Sequence, residues 1–118
     1  MDVVTEPRDG TLLIQVSGRI DGSNAAAFDR AVIAALESND CTVLMDLENL
    51  SYINSAGLRT FVKVARRLRR GTGVLALCAM RDETRKVLEI AGFHKVIPIY
   101  PTRAEALTCL AAERMVSE

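Results

Sequence analysis

Short runs of apolar residues alternate along this chain with stretches in which apolar residues recur at helical spacing. Near the beginning, residues 3–5 and 11–17 favour strands because they are rich in β-branched and apolar side chains. They flank Asp9 and Gly10, a residue pair that is typical of a tight hairpin turn. This part of the chain is therefore predicted to form an antiparallel hairpin.

Two later runs predict strands that are buried on both faces. Residues 41–47 and 74–80 are short, mostly apolar and bounded by turn-forming residues, as parallel strands inside a sheet usually are. Residues 96–100 predict a shorter last strand. Pro98 lies within it and cannot donate a ladder hydrogen bond, which favours a position at the edge of the sheet.

Helices are predicted where apolar residues form stripes at helical spacing. The first helix follows the polar cluster at 21–24, the second begins near Ser55, Asp82 can cap the third, and a capping box at 102–105 opens the fourth. In chain order, the stripes are Ala25, Phe28, Val32, Ala35 and Leu36; Leu58, Phe61, Val62, Ala65 and Leu68; Val87, Leu88 and Ala91; and Leu107, Leu110 and Ala111.

The predicted order of elements is ββαβαβαβα, which indicates an α/β fold. Strands that alternate with helices pair in parallel through right-handed crossovers. We therefore expect a mixed, mostly parallel sheet packed against about four helices, in a single domain that spans residues 1–118. The residues expected to be buried are Leu13, Val16, Val43, Leu44, Met45, Phe61, Val62, Leu75 and Leu77.

Composition narrows the functional class. The chain has 118 residues, of which 49% are apolar, and this is enough for a core without disulfides. Fifteen basic residues balance fifteen acidic ones, so direct nucleic-acid binding is not expected. No apolar run approaches the length of a membrane span, and residues 1–6 lack the features of a signal peptide. We expect a cytoplasmic protein without membrane insertion.

The sequence offers few candidates for catalytic or metal chemistry. Cys41, Cys78 and Cys109 are widely spaced in apolar segments, which is typical of small buried side chains, and His94 is the only histidine. No phosphate-binding glycine loop is present. The segment 53–57 resembles a nucleophile elbow, but Ile53 stands where that motif requires glycine. The chain is therefore expected not to be an enzyme, and to bind neither a cofactor nor a metal.

Ser55 is the residue with the most informative position, because it follows a loop and precedes a helix. One interpretation is an N-cap, in which the hydroxyl accepts a hydrogen bond from a free backbone N–H. The other is an exposed hydroxyl that can be phosphorylated. The N–H groups and dipole of the helix would tolerate the added negative charge, so the surface would change while the fold survived.

Three segments resemble the STAS domain of bacterial anti-sigma factor antagonists. Residues 46–58, DLENLSYINSAGL, are similar to the family signature, in which an aliphatic strand is followed by D-L, an aromatic residue and D-S-S/A-G-L/I. Residues 17–21, SGRID, and 85–93, RKVLEIAGF, resemble the segments that precede and follow that signature. The resemblance covers nearly the whole chain.

This resemblance implies a regulatory module that binds an anti-sigma factor and releases the sigma factor. The anti-sigma factor would also be a serine kinase that phosphorylates Ser55 and thereby ends binding, and a phosphatase acting on phospho-Ser55 would restore it. Asn54 replaces the usual aspartate and removes one charge. The partner-binding residues implied are Asp21, Gly22, Ser23, Asn54, Ser55, Ala56, Gly57, Leu58 and Arg59.

The second predicted helix also has a strongly basic surface. It contains Arg59, Lys63, Arg66, Arg67, Arg69 and Arg70, with no acidic residue between Ser55 and Arg70. These charges could complement the C-terminal end of the helix dipole, or they could dock an acidic partner surface. The functional alternatives are a STAS subunit of another assembly, such as a stress-signalling complex or a lipid-transport system, and a nucleotide-binding or hydrolytic protein that uses Ser55.

Overall fold

The structure is a computed structural model that describes residues 1–8, 10–36 and 42–117, the last four of them by their backbone alone. Within these ranges the chain forms six strands, four α-helices and a 3₁₀ turn at Phe93–Lys95. The strands are β1 (Asp2–Arg8), β2 (Thr11–Ile20), β3 (Thr42–Asp46), β4 (Leu50–Ile53), β5 (Leu75–Cys78) and β6 (Ile99–Tyr100). The helices are α1 (Ala25–Leu36), α2 (Ser55–Arg69), α3 (Asp82–Ile90) and α4 (Arg103–Ser117).

The strands form one mixed sheet in the order β1-β2-β3-β5-β6. β1 pairs antiparallel with β2, whereas the pairs β2–β3, β3–β5 and β5–β6 are parallel. β4 lies parallel to the last part of β2, beyond a register shift between Gly18 and Arg19. The predicted α/β class, the mostly parallel sheet and the order of elements are confirmed.

The hairpin at the beginning of the sheet has the register that its sequence indicates. Arg8 pairs with Thr11, and Gly10 has a φ of 73°, which is the left-handed conformation that a tight hairpin turn requires. Asp9, the other predicted turn residue, lies outside the described residues, as does Cys41, the first residue of the predicted third strand. The same is true of Asn39 and Asp40, turn-forming residues at which the sequence predicts the end of the first helix.

The strand β4 is an addition to the predicted order, because its segment reads as a loop in the sequence. Leu50 is buried, but Ser51 and Tyr52 are exposed and Ile53 is only half-buried. The strand forms because β2 continues past β3 and offers it a parallel partner, in which Ile20 pairs with Ile53. A short strand with one buried residue has no periodicity of its own to detect.

The two faces of the sheet are covered by different helices. Alternate residues of β2 point to opposite faces, with Leu12, Ile14 and Val16 in the core formed with α1, α2 and α3. Leu13 belongs to the smaller core on the other face, where Ala106 and Leu110 of α4 pack. A helix layer of α1 to α3 therefore lies on one face of the sheet, and α4 lies on the other.

The ends of α4 and α2 are held by specific polar contacts. Thr102 accepts a hydrogen bond from the N–H of Glu105 at 3.1 Å, as the predicted capping box requires. Arg103 at the beginning of α4 forms a 2.6 Å ion pair with the buried carboxylate of Asp46 at the end of β3. The last turn of α2 contains Arg66, Arg67 and Arg69, where positive charge complements the helix dipole.

The predicted core is confirmed except at the second and third helices. Phe61 is fully buried, but its neighbour Val62 is only half-buried, and Val64 takes the inner position instead. With Phe61 and Val64 directed into the core, Val62 lies towards α1, because neighbouring residues of a helix point about 100° apart. In α3 only Leu88 is buried, since this helix rests on the core by a narrow contact and leaves Val87 and Ala91 exposed.

The cysteines described by the structure behave as apolar side chains. Cys78 is buried in the sheet, and burial raises the pKa of its thiol to about 12, so it stays protonated at neutral pH. Cys109 is half-buried on α4. Across the described ranges, none of the helices combines the length and the apolar character that a membrane crossing requires.

Candidate functional site

The predicted site residues lie in two segments that meet at one edge of the sheet. The first segment follows β2 and the second follows β4, and because these strands are parallel their carboxyl ends lie side by side. The N–H of Asn54 donates to the carbonyl of Ile20 at 2.9 Å, which joins the two segments directly. The structure therefore brings residues 21–23 and 54–59 together.

The loop between β2 and α1 is held by its own side chains. The carboxylate of Asp21 accepts hydrogen bonds from the hydroxyl of Ser23 at 2.5 Å and from its N–H at 2.9 Å. These two bonds lower the pKa of Asp21. Asn24 accepts from the N–H of Asp21 and donates to the carbonyl of Arg19, both at 2.9 Å. The loop thus holds the carboxylate of Asp21 in a fixed position, one residue after the carbonyl of Ile20 to which Asn54 is bonded.

Asn54, not Ser55, is the N-cap of α2. Its backbone is extended, and its side-chain oxygen accepts from the N–H of Gly57 at 2.9 Å. The interpretation of Ser55 as the cap is therefore wrong, and the reason is local: only the residue just before the first helical position can aim its side chain at these N–H groups. Asparagine also preserves the capping oxygen that the family's aspartate would supply.

Ser55 occupies the first helical position and is exposed. In the part of the chain that the structure describes, its hydroxyl makes no hydrogen bond. The two other serines of the region are engaged: Ser51 donates to the carbonyl of Gly18 at 3.0 Å, and Ser23 donates to Asp21. No acidic residue lies in the first turn of α2. Ser55 therefore has an accessible hydroxyl that the fold does not use.

Gly57 allows the first turn of α2 to approach the sheet closely. It is buried, and a Cβ at this position would lie 2.6 Å from Cγ1 of Ile53 and 2.9 Å from Cγ2 of Ile20. Real carbon atoms do not approach so closely, and both neighbours are branched near the backbone. Glycine is required here by the space available and not by its backbone angles.

Gly57→Ala is expected to destabilise the protein by about 1–2 kcal/mol, although alanine is the better helix former. The control is Gly71→Ala just after α2, where the nearest atom to a new Cβ is the carbonyl oxygen of Leu68 at 3.9 Å. That variant should match the wild type. Urea unfolding followed by circular dichroism measures both, and a stable Gly57→Ala variant would contradict the close packing.

The remaining predicted site residues differ in how much surface they offer. Gly22 and Arg59 are exposed and Ala56 is half-buried. Leu58 is 9% exposed and packs in the core, so it contributes little to the surface of the site. Two of the predicted site residues, Gly57 and Leu58, are therefore buried and do not form its surface.

Tyr52 and Arg19 belong to the same surface and were missed by the sequence predictions. They are paired across β2 and β4, and the guanidinium of Arg19 lies 4.6 Å from the centre of the Tyr52 ring. Tyr52 is 42% exposed, and exposed tyrosine and arginine are typical of protein interfaces. In the sequence Tyr52 is an isolated aromatic residue near polar ones. Its position opposite Arg19 can be recognised only once β4 is known to pair with β2.

The structure gives no support to a catalytic assembly around Ser55. His94 lies in the 3₁₀ turn, and among the described residues it forms no hydrogen bond with Ser55. Asp46 is paired with Arg103. The same described ranges contain no group of three His, Cys, Asp or Glu side chains arranged to hold a metal ion.

Comparison with known proteins places this geometry in a family. BtrV of Bordetella bronchiseptica, a candidate anti-sigma factor antagonist, is 34% identical over 90% of this chain and 91% of its own. The crystal structure of an anti-sigma factor antagonist from Mycobacterium paratuberculosis superposes with a TM-score of 0.82, at 29% identity and 92% coverage of both chains.

A more distant neighbour supports the fold alone. The phosphorylated form of the Bacillus protein SpoIIAA superposes with a TM-score of 0.72 at 21% identity, covering 92% of this chain and 99% of that one.

The family model of the STAS domain matches residues 2–106, which include every strand, the first three helices and both segments of the site. The chain therefore belongs to the STAS domain family.

Proposed function

We propose that this STAS domain, a single domain over residues 1–118, is an anti-sigma factor antagonist. It binds an anti-sigma factor that is also a serine kinase, and binding releases the sigma factor. Phosphorylation of Ser55 by that kinase ends the binding, and a phosphatase restores it. The protein itself acts by binding in the cytoplasm, without catalysis, cofactor, metal or direct contact with nucleic acid.

One observation supports this proposal above the others: Ser55 is exposed at the first position of α2 while Asn54 supplies the cap. Because the helix does not depend on the Ser55 hydroxyl, that hydroxyl can be modified without loss of the fold. A phosphoserine adds a charge of about −1.5 to −2. The positive end of the helix dipole favours such a charge in the free protein.

The same phosphate opposes binding. Asp21, Gly22, Ser23, Asn54 and Arg59 surround Ser55 at this edge of the sheet, and a partner that covers them would remove water from position 55. A dianion there loses its hydration without a pocket prepared for it, and the adjoining loop contributes a further negative charge at Asp21. The fold thus tolerates the phosphate that the complex does not.

The names of the relatives support the choice of partner. BtrV and the Mycobacterium paratuberculosis protein are both described as anti-sigma factor antagonists, and each is matched over at least nine-tenths of its length. A STAS subunit of a stress-signalling complex or of a lipid-transport system is the alternative. Neither of these alternatives has an observation of its own in this structure.

The test is phosphorylation by the cognate anti-sigma kinase. Incubation with the kinase and ATP should add one phosphate to the wild type and none to Ser55→Ala, as measured by mass spectrometry of the intact protein. Ser23→Ala and Ser51→Ala serve as controls and should still be phosphorylated. A phosphate located on Ser23 or Ser51 by peptide mapping would contradict the proposal.

A further inference from the structure

A groove of about 1040 Å³ lies between α1 and α2, next to the surface that surrounds Ser55. Its apolar lining residues come from three elements, namely Ile33 and Ala34 of α1, Val62 of α2 and Phe93 of the 3₁₀ turn. Val62 is the residue that the sequence placed in the core and the structure leaves half-exposed. The groove therefore has apolar surface that the fold does not use.

Basic side chains surround this apolar lining. They are Arg30, Arg59, Lys63, Arg66, Arg67 and Arg70. Among the described residues that line the groove, Asp29 is the only acidic one, and it is already bonded to Lys63 at 3.0 Å and to the hydroxyl of Thr60 at 2.9 Å. In the part of the chain that the structure describes, none of the five arginines forms an ion pair.

The arrangement of these charges is unfavourable in the free protein. Arg59, Lys63, Arg66, Arg67 and Arg70 recur at three- or four-residue spacing, apart from the adjacent pair Arg66 and Arg67, so they lie along one side of α2 and repel each other. The helix dipole offsets this repulsion only in the last turn of α2, which contains Arg66 and Arg67. It does not offset the repulsion at Arg59 or Lys63. A ligand with negative charges would remove it.

We propose that this groove binds an acidic amphipathic helix of the partner protein, with its apolar face on Val62, Ile33 and Phe93 and its carboxylates towards the arginines. From position 59 to position 70, α2 rises about 17 Å, which corresponds to roughly eleven residues of a helix lying along it. The inference rests on the proposed function, because the partner meant is the anti-sigma factor.

Continuity with the Ser55 surface supports this choice of partner. Arg59 lines one end of the groove and is exposed one helical turn after Ser55. A partner that covers Ser55 can therefore extend along α2 into the groove without a gap. The groove would then add affinity and association rate, whereas the Ser55 surface would switch binding off.

The chemistry of the groove favours a protein segment over a nucleic acid or a membrane. The whole chain has no net charge, but six of its fifteen basic residues line this groove. Nucleic-acid sites usually pair basic residues with exposed aromatic side chains, whereas three of the four apolar residues that line this groove, Ile33, Ala34 and Val62, are aliphatic. A concave groove also fits a helix better than it fits a flat lipid surface.

The test compares three variants in titration calorimetry against the cognate anti-sigma factor. Arg66 is exposed and forms no ion pair within the described ranges, so Arg66→Glu should fold normally and weaken binding about tenfold at low salt. The loss should shrink to about threefold or less at high salt, where exposed charges are screened. Val62→Ala should weaken binding by roughly threefold or more at both salt concentrations, because its contribution is apolar.

Arg8→Glu is the matched charge reversal. Arg8 lies beside Thr11, at the end of β2 opposite to the site, so this variant should bind within about twofold of the wild type. Circular dichroism and urea unfolding verify that each variant is folded. If Arg66→Glu proves unstable, Arg66→Gln removes the charge without reversing it and should give a smaller loss with the same salt dependence.

The outcomes separate the two proposals. If Ser55→Glu abolishes binding but Arg66→Glu and Val62→Ala bind as the wild type does, the groove inference is wrong and the proposed function stands. If the wild type does not bind the anti-sigma factor at all, the proposed function fails first. Binding to phosphatidylglycerol vesicles or to a DNA duplex that is lost in Arg66→Glu would overturn the choice of a protein ligand.

Discussion

Ser55→Glu is expected to weaken binding to the anti-sigma factor at least about a hundredfold, which corresponds to roughly 3 kcal/mol. The reason is desolvation: the new carboxylate lies at the centre of the proposed docking surface, and the adjoining loop already contributes the carboxylate of Asp21. The fold should not change, because Asn54 caps the helix and a negative charge in the first turn is favourable. Titration calorimetry measures the affinity.

Two controls make this result specific. Ser55→Ala should bind as tightly as the wild type, because the hydroxyl forms no hydrogen bond in the described part of the protein. Thr5→Glu adds the same charge on the exposed strand β1 and should also bind normally. Equal affinities for the wild type, Ser55→Ala and Ser55→Glu would show that position 55 does not control binding.

Phe61→Ala is expected to lower the free energy of unfolding by about 3–5 kcal/mol. Phe61 is fully buried, and its ring meets that of Phe28 edge to face with 6.3 Å between the ring centres. Removal of the ring leaves a cavity between α1, α2 and the sheet. The packing of α2, the helix that begins at Ser55, against α1 and the sheet is then weakened. Urea unfolding followed by circular dichroism measures the loss.

The neighbouring residue provides the control. Val62→Ala removes apolar atoms from the same helix, but Val62 is half-exposed, so this variant should lose no more than about 1 kcal/mol. A loss at position 62 as large as that at position 61 would show that α2 is rotated relative to the sheet. That result would also remove Val62 from the proposed groove.

The candidate site illustrates how far a sequence pattern can be carried. The serine, the glycine and the polar loop were all predicted to belong to one site, and parallel strands place them at one edge. The sequence could not decide whether Ser55 caps the helix or presents a free hydroxyl that can be phosphorylated. That decision needed the backbone conformation of Asn54 and the position of its side-chain oxygen.

The groove shows where sequence reasoning stopped. The basic surface of α2 was visible in the sequence, but its apolar lining combines residues 33, 34, 62 and 93, which lie far apart along the chain. Val62 also has the spacing of a core residue. Whether it faces the sheet or α1 depends on the rotation of α2, and that rotation is set by the packing of Phe61, Val64 and Leu68.

The sequence by itself determined the order of elements apart from β4, the hairpin, the buried parallel strands and the segment that is proposed as the site. These features arise from local causes: side-chain period, turn chemistry and the apolar character of short runs. Only the tertiary structure decided that β4 forms, that Gly57 must lack a Cβ and that α1 and α2 leave a groove between them. Each of these depends on close packing between residues that are distant in the chain, and close packing leaves no periodic signal in the sequence.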